Sequence, residues 1–527
     1  MYNLDNLILY NDFFLNTESI FVMFINEISL MDFSVLHENH FKMILPEVFL
    51  ATSILIMTLH ASLVVTSRRL GYPLIMQSFG KLSILVLFLT LLLVNNNSIT
   101  FMLTYQNTFV FDLLTLGVKE ILLIATIFCL LISENSLVTQ RINNFEYFIL
   151  ILCAILGLMF LVSSYDMLSL YLALEMQSLC LYVLAAAKKD SSFSTEAGLK
   201  YFILGSFSSA LLLFGISILY GSTGTTNFDN FYLLFAETGF DNLALTSSVE
   251  KALLCIVSAF FFKIAAAPFH MWSPDVYEGA PTSSTIFFAV VPKIALFSIF
   301  LRLSQTIFFS LEDVFLFALL FFSIVSVIVG SFVALRQKKL KRLLAYSSIS
   351  HVGYLLLAFS ANSLEGTQSL FFYLIVYMVT SLCIWSIVLS LNTSFNQEKS
   401  KTLVDLASIS NINPLLGLSA MLAFFSLAGV PPLAGFFAKM EIFVSALSSS
   451  LVFASLVAIL SSVVSSFYYI RLIKTMYFEK KKDSSFVFPV TRACSLTIGL
   501  SVFFLVYFFI NPNLLLLLTQ KMALCLF

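Results

Sequence analysis

Lys263, Lys293 and Lys439, with Glu175 and His351, stand inside long apolar stretches of a 527-residue chain. A charged side chain at the centre of a membrane helix costs about 2.5 to 3.5 kcal/mol on insertion scales, so each needs a partner, water or a purpose. One chemistry suits the set. Burial and a neighbouring carboxylate act on a lysine's proton affinity in opposite directions, so moving the carboxylate or wetting the site switches the lysine between charged and neutral forms. His351 follows Ser347-Ser348-Ile349-Ser350 and precedes Gly353 by two, among small and polar residues. A neutral imidazole there can accept one proton and donate another. A row of such groups would pass protons sideways at mid-depth; the structural alternative is a set of static ion pairs and a packing histidine. Lys200 has Glu196 four residues before it, a favourable helical pairing. Its stem could equally snorkel from a helix end, so it is included in the row with both readings open. Lys119 and Glu120 are neighbours whose side chains diverge by about 100° on a helix, which leaves them a local polar role.

The elements that must position these groups are membrane spans. Hydrophobic residues make up 59% of the chain and charged ones 11%, against roughly a quarter charged in soluble proteins. Mean hydropathy is +0.97. A spanning helix needs about 20 mostly apolar residues. Such runs begin near residues 43, 79, 113, 145, 166, 196, 251, 283, 313, 341, 368, 414, 450 and 493, predicting an all-α polytopic protein of about fourteen transmembrane helices. The cations test the count, because short loops on one side should hold them. Nineteen of the 28 Lys and Arg fall in or beside loops after odd-numbered spans; the other side keeps Lys42, Lys251, Arg302 and Lys521. Five remain within spans: Lys119, Lys200, Lys263, Lys293 and Lys439. Both termini then lie outside, and the basic loops face the cytoplasm or matrix. The outer loop at about 222 to 249 reads as polar and acidic.

Pro268 follows Lys263 by five residues, and Pro431-Pro432 precede Lys439. Each removes a backbone donor and should break its helix. Irregular backbone at membrane depth survives only when buried or lining a wet cavity. Two broken helices with a lysine beside each resemble the layout of transporters built from inverted repeats. Spans four to eight and nine to thirteen would be those repeats, because an odd number of helices inverts one unit relative to the other. The predicted modules are an N-terminal extension over 1–42, three helices over 43–144, the two five-helix repeats over 145–305 and 313–475, and a basic loop with the last helix over 476–527. His270 lies just past the first break, suited to proton exchange with the basic side or to capping a re-entrant turn.

The chain carries no G-x-x-x-x-G-K-[ST] loop and no dinucleotide fingerprint to supply energy. Its seven cysteines include no C-x-x-C pair, which argues against an iron–sulfur cluster, zinc or a disulfide framework. Charge is nearly balanced at −1, with no basic bias toward nucleic acid. A driving reaction must come from partner chains or an ion gradient. The first 40 residues carry acids and no Lys or Arg, unlike a signal peptide or an organelle presequence. If the protein sits in an organelle, synthesis inside that organelle is expected on that ground.

Three motifs carry a resemblance to a known family. They are Pro268-Phe269-His270-Met271-Trp272-Ser273-Pro274-Asp275-Val276-Tyr277-Glu278-Gly279-Ala280-Pro281, the run from Lys338-Lys339-Leu340-Lys341-Arg342 to Ser350-His351-Val352-Gly353-Tyr354, and Ala428-Gly429-Val430-Pro431-Pro432 through Gly435 to Lys439. They resemble the antiporter-like subunits of respiratory complex I. Glu196-Ala197-Gly198-Leu199-Lys200-Tyr201 and Tyr469-Ile470-Arg471-Leu472 look like mitochondrial members from plants and protists. The likeness runs from about residue 43 to the end. It implies a non-redox, proton-translocating subunit of the membrane arm of NADH:ubiquinone oxidoreductase, in the mitochondrial inner membrane with both termini toward the intermembrane space. Its partners would be neighbouring antiporter-like subunits and lipid. Flavin, iron–sulfur clusters and ubiquinone would belong to partner subunits, with no cofactor and no metal in this chain. By motif, Glu175 matches the family's fifth-helix glutamate, and Lys263, Lys293 and Lys439 its lysines on the seventh, eighth and twelfth helices. A self-sufficient cation/proton antiporter, or a component of one, is the alternative, and a purely structural anchor a third.

Overall fold

The computed structural model describes residues 39–63, 76–97, 101–140, 142, 144–237, 243–391, 402–407, 409–479, 490–508 and 511–526. The acidic extension before residue 39 lies outside the described residues, as do parts of the basic loops that the cation count uses. Helices α1 (Asn39–Leu63), α2 (Met76–Asn95), α3 (Leu113–Thr139), α4 (Glu146–Ser163), α5 (Met167–Ala185) and α6 (Ser192–Thr223) come first. A short amphipathic α7 (Phe228–Glu237) leads to α8 (Leu243–Ile264), α9 (Trp272–Gly279) and α10 (Thr282–Thr306). The second half holds α11 (Glu312–Leu335), α12 (Leu340–Ser360), α13 (Leu364–Ser390), a one-turn α14 (Ile409–Ile412), α15 (Pro414–Ala428), α16 (Ala434–Ser448), α17 (Val452–Phe478), α18 (Arg492–Tyr507) and α19 (Asn513–Leu524). Among the described residues eleven helices are long and apolar enough to cross a membrane. The seventh span (α8 with α9), the twelfth (α15 with α16) and the last (α18 with α19) complete the expected order.

Helices prevail because lipid offers backbone groups no partner, so each span must satisfy its own. Local signals set where they start. Asp166 caps α5, its carboxylate accepting from the Leu168 amide at 2.8 Å, and Asn413 with Pro414 at the first helical position opens α15. Both five-helix sets have a broken fourth member, as the prolines require. Three features differ from expectation. Helix α8 begins at Leu243, because Glu250 and Lys251 read as a boundary yet lie within the helix. The last span is interrupted before Pro512. A two-stranded antiparallel hairpin, β1 (Phe101–Thr104) and β2 (Phe109–Asp112), with Phe101 opposite Asp112, stands before α3; its alternation is too short to separate from an apolar run.

Burial sorts core from shell. The apolar stretch of α10 is wholly buried and those of α12 and α13 are 94% buried, against 39% for α1, α2, α6, α11 and α17. The helices bearing Lys293 and His351 are therefore the centre of the molecule. Close packing there needs small residues: a Cβ at Gly353 would lie 2.8 Å from the Val327 amide, so glycine lets α12 meet α11 at the level of His351.

Two buried ion pairs tie α1 to α3 and the start of α3 to α10. Lys119 is bonded to Glu47 of α1, both side chains at most 2% exposed, with the ammonium 4.3 Å from the centroid of Phe111. Arg302, expected at the outer surface, is buried instead, its Nη2 2.6 Å from Asp112 Oδ2. Asp112 also accepts from the Thr115 amide at 2.7 Å and so begins α3. Breaking a buried pair leaves a lone charge and costs about 3 to 5 kcal/mol, whereas apolar replacement of both partners is near neutral. Glu47→Leu is thus expected to lower the chain's thermal stability strongly in detergent, and Glu47→Leu with Lys119→Met to recover most of it. Equal losses in the single and double variants would refute the pairing.

Candidate functional site

The sequence-predicted residues divide into two buried clusters and one surface network. In the first cluster Glu175, Ser178 and Tyr182 lie at i, i+3 and i+7 of α5 and share one face. Ser178 Oγ donates to the Glu175 carbonyl at 3.1 Å and stands 3.5 Å from its carboxylate. Lys263 Nζ is 3.5 Å from Tyr182 Oη, and Glu175 is the carboxylate that acts on Lys263 through space. Glu175 is half-buried, with Oε1 unbonded among the described residues.

Lys263 sits not at mid-helix but next to the end of α8, where the chain leaves the helix at Ala265 with φ +65°. The carbonyl end of α8 is the negative end of the helix dipole, a favourable place for a cation. The break is pinned by Trp272, whose Nε1 donates to the Phe262 carbonyl at 2.9 Å while its ring stacks on Tyr201 at 4.6 Å.

The second cluster surrounds His351. Nδ1 is 2.6 Å from Tyr373 Oη and Nε2 3.0 Å from Tyr469 Oη. A neutral imidazole has one donor and one acceptor, so one tyrosine gives it a proton while the other takes one, and exchanging tautomers reverses both bonds. Lys293 Nζ is buried without a hydrogen-bond partner among the described residues and stands 5.3 Å from the centre of the Tyr377 ring. Tyr377 is in turn 5.2 Å from the His351 ring. Both Lys293 and Lys439 lie within electrostatic reach of His351.

Lys439 donates to the last carbonyls of α15, Leu427 at 2.8 Å and Ala428 at 3.0 Å. The break that frees those carbonyls turns on Gly429, at φ +85°. Gly435 allows the two half-helices to meet, since a Cβ there would fall 1.9 Å from the Ser426 carbonyl oxygen. His351, Tyr373, Tyr377, Ser426 and Lys439 line a cavity of about 10 Å³, the lower limit of what holds one water.

No hydrogen bond, ion pair or ring contact joins Lys263 to Lys293 among the described residues. Tyr277 of α9 and Tyr377 of α13 both interact with Ser348. Tyr182, Tyr277, Tyr373 and Tyr377 escaped the sequence reading because a membrane tyrosine carries no charge to mark it. Only the i+7 spacing of Tyr182 from Glu175 could have pointed to one of them.

Lys200 belongs to neither cluster. Its side chain is 44% exposed and pairs with Glu196 at 2.7 Å and Asp275 at 3.2 Å. Asp275 also holds Arg342 at 3.0 Å, and Glu278 is bonded to Lys339. This network joins α6, α9 and α12 at the basic end. Exposed pairs are worth about 0 to 1 kcal/mol each, so it serves to register those helices. His270 is buried next to it, its ring 6.2 Å from that of Tyr346 and its Nδ1 unbonded among the described residues.

Known proteins with the same pattern are numerous. A model of the NADH:quinone oxidoreductase/Mrp antiporter transmembrane family matches residues 164–465, more than half of the chain. The NADH-ubiquinone oxidoreductase chain 2 of Marchantia polymorpha is 41% identical over 495 residues, which cover 93% of this chain and 99% of that protein. NADH-quinone oxidoreductase subunit N of Pelagibacter ubique is 40% identical over 447 residues, 85% of this chain and 91% of that one. A chain of respiratory complex I from Thermus thermophilus, solved with bound aureothin, superposes with a TM-score of 0.73 at 28% identity, covering 89% of this chain and 98% of its own.

Proposed function

The chain belongs to the NADH:quinone oxidoreductase/Mrp antiporter family, and from that membership we propose that it works as a non-redox, proton-translocating subunit in the membrane arm of respiratory NADH:ubiquinone oxidoreductase. It resides in the mitochondrial inner membrane, with both termini toward the intermembrane space and the basic loops in the matrix. NADH is oxidised and ubiquinone reduced in partner subunits, which hold the flavin and iron–sulfur clusters. This chain supplies the proton path. The modules over 43–144, 145–305, 313–475 and 476–527 divide it into a scaffold, two inverted half-channels and a closing helix.

The observation that supports this reading most is His351, hydrogen-bonded on both ring nitrogens and placed between Lys293 and Lys439. A group built only to pack would not need two tyrosines that can hand protons in either direction. Charge enters through Glu175, Tyr182 and Lys263, crosses by way of Tyr277, Ser348 and water to Lys293, and leaves the second half through His351 and Lys439. Water bridges of this kind are nearly as favourable as direct bonds. Lys200 acts at the matrix rim through its ion pairs.

Purification distinguishes this function from that of an independent antiporter. The chain is expected to copurify with flavin- and iron–sulfur-containing partners in one large assembly, and to transport nothing when reconstituted alone in liposomes. Cation/proton exchange by the isolated chain would instead establish the antiporter.

A further inference from the structure

Glu441 is the eighth residue of α16, about 10 Å from either end of that half-helix at 1.5 Å per residue. It follows Lys439 by two residues, so the two side chains point about 200° apart around the helix. Lys439 is buried against α15, whereas Glu441 is only partly covered and lies beside Met440, Val444 and Leu447, which are 43%, 53% and 48% exposed. Among the described residues no hydrogen bond or ion pair reaches its carboxylate. The chain thus presents a carboxylate in the middle of an apolar outer face at membrane depth.

We propose that this face of α16 docks against an adjacent membrane-arm subunit, and that Glu441 pairs there with a cationic side chain, a lysine or histidine at the same depth. Acyl chains would leave the carboxylate uncompensated, which membrane insertion disfavours. A neighbouring subunit supplies both the apolar cover for Met440, Val444 and Leu447 and the cation. Because Glu441 and Lys439 share one turn of helix, that cation and the proton on Lys439 act on each other, which joins the end of this chain's row to its neighbour. The docking rests on the assembly proposed above; the electrostatic link to Lys439 rests on the proton-path reading.

The test is chemical modification of the intact purified complex with the lipid-soluble reagent dicyclohexylcarbodiimide, followed by mass spectrometry of the peptide containing Glu441. Glu441 is expected to stay unmodified in the complex and to react once the chain is separated from its neighbours in detergent. Reaction in the intact complex would show a lipid-facing carboxylate and overturn the proposal. So would absence of reaction in both states, since the chain would then cover Glu441 by itself. In parallel, Glu441→Gln should release this chain from the membrane arm at lower chaotrope concentration, with Glu441→Asp restoring part of the resistance; a wild-type profile for Glu441→Gln overturns the ion pair. The proton path is judged separately by Lys439→Met: if that variant pumps normally while carbodiimide protection holds, the docking stands and the relay falls.

Discussion

Lys263→Met and Glu175→Gln are each expected to remove most of the proton pumping and of the coupled NADH oxidation while the assembly still forms. Both substitutions keep the shape of the side chain and delete only its ability to carry charge. Tyr182 remains in place between them, held across Gly205 of α6. Met in place of Lys263 relieves the membrane of a cation, and Gln in place of Glu175 keeps a polar oxygen beside Ser178, so neither should unfold the helices. The transfer step that each group serves is expected to slow by about a hundredfold, the low end of what a positioned acid or base contributes. Proton uptake by the complex in vesicles, set against NADH oxidation in the presence of an uncoupler, measures the effect. Normal coupled rates in both variants would leave the row with a structural role only.

His351→Leu is expected to stop transfer between Lys293 and Lys439 and also to destabilise the second repeat. It leaves the hydroxyls of Tyr373 and Tyr469 buried without their partner, and an orphaned buried polar group costs about 1 to 3 kcal/mol. His351→Gln separates the two effects, because an amide both donates and accepts hydrogen bonds but takes up no proton. Thermal stability should largely return in the glutamine variant, and pumping should not. If glutamine restores both, the imidazole is a packing group.

The order of helices was legible because lipid imposes one period and one length on every span. The start of α3 at Leu113 and of α15 at Pro414 agree with the expected residue, and both proline-marked breaks are present. The same reasoning failed where charge misled it. Lys251 suggested a loop but lies inside α8, and Arg302 suggested an outer surface but pairs with Asp112 inside the protein. Glu47 and Glu441 passed unnoticed within apolar runs, although a carboxylate in such a run carries the same signal as a lysine. At the candidate site, residue types could nominate Lys293, His351 and Lys439, yet the tyrosines between them, Tyr373 and Tyr377 of α13 and Tyr469 of α17, come from two other helices and meet only through packing. Lys200 shows the converse: four-residue spacing correctly paired it with Glu196, but spacing along one helix cannot reveal that the face is turned outward.

The helix breaks have a further consequence for how slowly this protein yields its backbone hydrogens. Helices α10, α12 and α13 are shielded by their neighbours from bilayer and solvent alike, and their amides should hold protium longest in heavy water. The segments 265–271 and 429–433, where the regular bonding stops beside Lys263 and Lys439, should take up deuterium before the helices they interrupt. Isotope would then enter this protein at its interior joints, and the sequence in which the joints fill would reveal which half opens first to the aqueous phase.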